Sequence, residues 1–235
     1  MKKLFILACA ALFTFSVSKA QSDCMALFPS NKGAMLINKT YDASNNLLRT
    51  MTYTVINSYS NVSGEDIQMG FTLTDNNGNT IDKGTIDARC DDGIFYLKMI
   101  NRGMAPEVMN ILGQDTELVG DFLDYPNTFA DEPFDSTFKM DGGEFTIRSK
   151  SNKKDWMSVK VSDRQYEKNE SITTPAGKFD ASKIKFNFET FKDKKTTRYS
   201  GVEWYASGAG IVRSETYDSK GKLVNYTELT TLQDK

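Results

Sequence analysis

Hydrophobic residues in this chain return at every second position, and that period fixes the backbone as strand in both halves. Ile67, Met69, Phe71 and Leu73 interleave with Gln68, Gly70 and Thr72. Phe95, Leu97 and Met99 interleave with Tyr96 and Lys98. Further on, Met157, Val159 and Val161 alternate with Ser158, Lys160 and Ser162, and Ile184, Phe186 and Phe188 with Lys183, Lys185 and Asn187. A period of two places one apolar and one wet face on each strand, the pattern of an antiparallel sheet with one side on a core.

Turn chemistry separates these runs. Asp42 to Asn46, Asp75 to Asn79 and Asp218 to Lys222 each combine Asp with Asn or Gly, which supply Asx turns and positive φ, so three hairpins are expected there. Breaks at Asp91-Asp92-Gly93, Asp141-Gly142-Gly143, residues 151–154 and residues 192–195 bring the expectation to roughly a dozen strands. The fold class is all-β and antiparallel, a barrel-like or half-barrel sheet with one short helix. That helix is signalled by Pro106 at its first position, Glu107 in the first turn, and Val108, Ile111 and Leu112 at i, i+3, i+4 before Gly113. It is read first as a plug over an open sheet end and second as a lid over a ligand cavity. Residues 124–133, with Pro126 and Pro133 and no periodicity, form the longest expected loop and would be the boundary if there were two lobes; one β domain over residues 21–235 is expected.

Compartment is written at the N-terminus. Lys2 and Lys3 precede an apolar run over residues 4–17, and Ser18-Lys19-Ala20 is a small-x-small site before Gln21. The expectation is a signal peptide cut between Ala20 and Gln21, with export to the periplasm or beyond the cell. No membrane span is expected after processing, because the run is too short to span. Lipoprotein processing at Cys9 is the alternative, since Ile6-Leu7-Ala8-Cys9 loosely resembles the end of a lipobox. Cleavage at Ala20 removes Cys9 and leaves Cys24 and Cys90, an even count in an oxidising compartment, so a disulfide between them is expected, with two unpaired buried thiols as the alternative.

Several function classes drop out on composition. The 235 residues contain no histidine, which removes Ser-His-Asp and Cys-His catalysis and every histidine metal site. Losing Lys2, Lys3 and Lys19 with the signal leaves 26 Lys and Arg against 31 Asp and Glu, so a nucleic-acid partner is not expected. Asp75, Asn77 and Asn79 have the first spacings of a calcium loop, but Thr80 and Ile86 stand where its Gly and Glu belong, and a hairpin turn is the reading. Asp91, Asp92, Asp121 and Asp124 are the acids from which a histidine-free glycosidase pair could be drawn. Asp135-Ser136-Thr137 fits a short O-glycosylation pattern and is read only as a surface marker. No cofactor is expected.

Methionines at Met35, Met51, Met69, Met99 and Met157 fall on apolar strand faces, where pliable side chains can line a cavity. The candidate apolar ligand face is therefore Met69, Phe71, Phe95, Leu97, Ile184, Phe186 and Phe188, with Val108, Ile111 and Leu112 above it. Ile172-Thr173-Thr174-Pro175-Ala176-Gly177-Lys178-Phe179 and Trp204-Tyr205-Ala206-Ser207-Gly208-Ala209-Gly210-Ile211-Val212 resemble two blocks of the TapB-like exported bacterial proteins. Cys24 to Pro29 and Cys90 to Tyr96 fit as well, while Ala209 departs from the commoner Val. The resemblance implies an exported antiparallel β domain and carries over no catalytic residue. Read from the residues alone, Pro175 and Gly177 make a tight turn, and Gly208 and Gly210 permit a bend or bulge between Trp204 and Ile211. Three functions follow in order: a non-catalytic envelope protein holding a lipid-like or apolar small molecule, a structural or interaction module with an envelope protein as partner, and a carboxylate hydrolase.

Overall fold

The structure is a computed structural model that describes residues 28–60, 64–91, 94–98, 105–113, 115–120, 122–126 and 139–234. The signal segment, with Cys9 and Ala20, lies outside the described residues, as do Gln21, Cys24, Asp92, Met99, Asp121, Pro133 and the Asp135 pattern. Five strands open the fold as successive antiparallel neighbours: β1 (Met35–Asp42), β2 (Leu47–Ser60), β3 (Gly64–Asp75), β4 (Thr80–Asp91) and β5 (Ile94–Lys98). Helix α1 (Pro106–Ile111) follows, then β6 (Thr116–Gly120), β7 (Phe122–Pro126) and the short β8 (Lys139–Met140). The second half holds β9 (Gly143–Ser149), β10 (Asp155–Thr174), β11 (Gly177–Lys192), β12 (Lys195–Ala206), β13 (Gly210–Asp218) and β14 (Leu223–Gln233).

All the strands belong to one antiparallel sheet, with path β6-β9-β10-β11-β12-β13-β14-β1-β2-β3-β4-β5-β7 and β8 beside β10. The sheet curls into a half-barrel, and β1 against β14 joins the halves. Asp124, placed by the sequence reading in a loop, sits instead in β7 opposite Tyr96; two residues of β7, Leu123 and Tyr125, are buried and make it a strand.

The three expected hairpins form by one device. In each, an Asp carboxylate accepts the backbone N–H groups two and four residues on: Asp42 from Ser44 and Asn46, Asp75 from Asn77 and Asn79, and Asp218 from Lys220 and Lys222. The residue two positions before the returning strand takes positive φ, Asn45 at 65°, Gly78 at 84° and Gly221 at 75°. The would-be calcium acid Asp75 is thus spent on its own turn. The bend expected between Trp204 and Ile211 appears as a register shift at Trp204/Tyr205.

Two further register shifts re-aim side chains. In β2, Val55 faces Met69 and Asn57 faces Gln68, which leaves Ile56 unpaired and turns Tyr59 outward beside Asp66. In β10, Asp163 and Arg164 together oppose the single position of Phe186, and Asp163 adopts a φ of 53°. An extra residue reverses inside and outside beyond it, so Arg164 and Tyr166 follow Val161 into the core.

Candidate functional site

The predicted apolar face is inside the half-barrel. Met69, Phe95, Ile184, Phe186 and Phe188 are buried, and Phe71 is half-buried against Gly84. Leu97 pairs through its backbone with Ala88 and Leu123, and its side chain is outside the described residues. The remaining rings divide into two groups. Phe186 and Phe188 lie 6.0 Å apart and Phe188 stacks on Tyr199 at 5.1 Å, whereas Phe95 meets Phe28 at 5.7 Å. Phe28 also meets Tyr53 and covers Gly210, where an added Cβ would stand 2.8 Å from its ring.

Helix α1 covers part of this interior. Val108 is fully buried and Met109 nearly so, while Ile111 and Leu112 pack half-buried on the same core. The helix lacks a side-chain cap, and at six residues it is too short to stand alone. Glu107, expected only to complement the helix dipole, anchors it: Thr190 of β11 and Tyr199 of β12 both donate their hydroxyls to its carboxylate, at 2.8 and 2.8–2.9 Å. Burial and that carboxylate raise the Tyr199 hydroxyl well above its ordinary value.

Where the sheet's last strand meets its early ones, a polar seam replaces a ladder. The fully buried Arg164 donates through Nη1 to Asp124 Oδ1 at 2.6 Å and to the Asp141 carbonyl at 2.9 Å, and through Nη2 to the Asp124 carbonyl at 2.7 Å. Its guanidinium lies 5.0 Å from the Tyr125 ring, and Tyr125 donates to Glu203 of β12 at 3.0 Å and packs edge-on against Tyr205. Of the acids considered for hydrolysis, Asp124 is committed here; the Asp91 side chain, Asp92 and Asp121 lie outside the described residues. Glu203 could have been suspected as a lone acid beside Trp204 and Tyr205, but nothing in the spacing points to Arg164.

Two depressions stand out on the surface of the described residues. One, of about 500 Å³, lies near the Asp218 turn; its polar groups answer one another, with Asn187 donating to Asp163 and Arg198 paired to Glu189. The other, of about 400 Å³, lies on the outer face of β2 to β5. Tyr59, Asp66, Arg89 and Tyr96 form a continuous cross-strand row there, each in register with the next. Gln68 donates to Asp87 in the adjoining row at 3.2 Å, and Arg89 lies 5.1 Å from the Tyr96 ring. Tyr59 is 58% exposed. No sequence spacing could find this row, since it needs the register of four strands and the β2 bulge.

Cys90 is buried on β4 opposite Phe95, and its expected partner Cys24 lies outside the described residues.

A curled antiparallel sheet, covered in part by a helix and bridged by side chains at its seam, defines the protein as a half-barrel β domain. More narrowly, it belongs to the DUF3108-like family, whose model matches residues 31–229. A solved protein from Bacteroides fragilis, assigned as exported and of YmcC-like fold, is 32% identical with a TM-score of 0.83, over 88% of this chain and 98% of its own. Another from Parabacteroides distasonis, assigned as a lipoprotein, is 34% identical with a TM-score of 0.84, over 90% of this chain and 100% of its own. No curated protein gives a match.

Proposed function

We propose that this chain is an exported, non-catalytic protein of the bacterial cell envelope that acts through its surface, as a structural or interaction module. Export is supported by the relatives assigned as exported or as a lipoprotein and by the N-terminal signal pattern. Processing at Ala20, the Cys24–Cys90 bond and the TapB-like resemblance belong to the same proposal.

The observation that carries the choice of module over carrier is the occupancy of the inner face by the chain's own side chains. Phe186 lies over Gly201, Phe28 over Gly210, and Val108 of α1 is fully buried. A lipid in the concave face would have to displace α1 and break the bonds of Glu107 to Thr190 and Tyr199. Thermal unfolding with added fatty acids and phospholipids tests this. The module reading expects no shift with any lipid and a clean apo mass in native mass spectrometry. A co-purifying lipid, or stabilisation approaching the roughly 2.7 kcal/mol expected at a hundredfold excess over Kd, would restore the carrier reading.

A further inference from the structure

We infer that the outer-face groove of β2 to β5 is a binding site for a neutral oligosaccharide, stacked on the exposed ring of Tyr59 and running past Asp66, Gln68 and Asp87 toward Arg89, which covers the Tyr96 ring. The volume of about 400 Å³ falls in the range of small-ligand sites. The four-strand row gives it direction: three inter-strand steps of about 4.8 Å separate Tyr59 from Tyr96 by roughly 14 Å, the span of several linked sugar rings.

Its chemistry selects among ligands. Aromatic faces carry negative charge density and attract the C–H face of a pyranose, and Tyr59 is held outward by a bulge that exposes its ring. Carboxylate, amide and guanidinium groups are planar and bidentate, which suits vicinal hydroxyls. Arg89 has its cation–π contact and makes no ion pair among the described residues, so its donors remain for a ligand. Ile67 and Ala88 form the apolar base beneath these polar groups, and an anionic polymer is disfavoured by two carboxylates against one guanidinium. A peptide could not add a strand, because the groove lies on a sheet face and its backbone groups are already in ladders.

The experiment is calorimetric titration of the full processed chain with a panel of neutral hexasaccharides built from glucose, mannose, galactose, xylose and N-acetylglucosamine. Incorporated fluorotyrosine allows Tyr59 and Tyr96 to be followed by NMR. Binding of at least one member, weakened tenfold or more in Tyr59→Ala and kept within threefold in Tyr59→Phe, supports the site; Arg89→Gln should weaken it by a similar factor. No binding at millimolar concentration, binding unchanged by Tyr59→Ala, or equal loss in Tyr59→Phe overturns it. Because Tyr59 is exposed, an unchanged melting temperature separates loss of site from loss of fold. The site rests on the envelope reading only for where a glycan would be met, and the lipid titration can fail or succeed independently.

Discussion

The bulge in β2 and the bulge in β10 are the same one-residue insertion with opposite results. In β2 it turns the aromatic Tyr59 out of the core onto a wet face. In β10 it turns the cationic Arg164 in, to a position with no solvent exposure. Each reverses what the period of two would assign beyond it, and each is tolerated for a different reason. Outward, an exposed ring loses only its burial; inward, a charge must be answered, and Arg164 finds a carboxylate, two carbonyls and an aromatic face for its two Nη groups, while its buried Nε is left without a partner among the described residues. Bulges are therefore where a filled half-barrel departs from its own hydrophobic pattern, and the departure marks either closure or recognition.

The largest expected effect tests that asymmetry. Arg164→Met keeps most of the stem volume but removes the guanidinium, leaving Asp124 and two carbonyls at the seam unanswered. Breaking one side of a buried pair costs about 3–5 kcal/mol; with Asp124 28% exposed, the lower end, about 3 kcal/mol, is expected. Urea unfolding measures it. A loss under about 0.5 kcal/mol, the size of an ordinary surface change, would mean that the seam does not hold the sheet's last strand. Tyr59→Ala should fall in that surface range, and a loss comparable to that of Arg164→Met would erase the contrast between the two bulges.

Much of this fold could be read in advance because its determinants are local. Ile184, Phe186 and Phe188 face inward as their alternation requires, and Asp42, Asp75 and Asp218 make the turns that their neighbours announce. Arg164, Tyr59 and the docking of Glu107 were not readable, since a bulge leaves no mark in composition and cross-strand partners are set by register. Gly201 is an intermediate case. It sits in regular β12, where glycine should cost about 0.5–1 kcal/mol relative to alanine. A Cβ there would stand 2.2 Å from the Phe186 ring. Overpacking of this kind costs about 1–3 kcal/mol and outweighs the gain, so Gly201→Ala should destabilise in a urea titration. Phe186→Leu in the same chain should return part of the loss; if the two losses simply add, the contact is not the cause.

The smallest effect belongs to the hairpin turns, where bonding is strong but solvent is close. The Asp75 carboxyl is held below its ordinary value of 3.8, first by the side-chain amide of Asn79 and then by its backbone N–H. Asp42 shows the same with Asn46, and Asp218 with the N–H groups of Lys222 and Lys220. A carboxyl lowered in the folded state adds stability that is complete above its unfolded value and disappears as pH falls through its folded one. Melting temperature should therefore decline below about pH 4, and Asp75→Asn should flatten that decline by removing one of three similar contributions while lowering the plateau at pH 7 only slightly. An Asp75→Asn protein whose acid profile matches the parent would assign the decline to other carboxylates. Those of Asp155, bonded to Arg148, and Glu167, bonded to Lys185 and Lys183, are also held low and would be the next to replace.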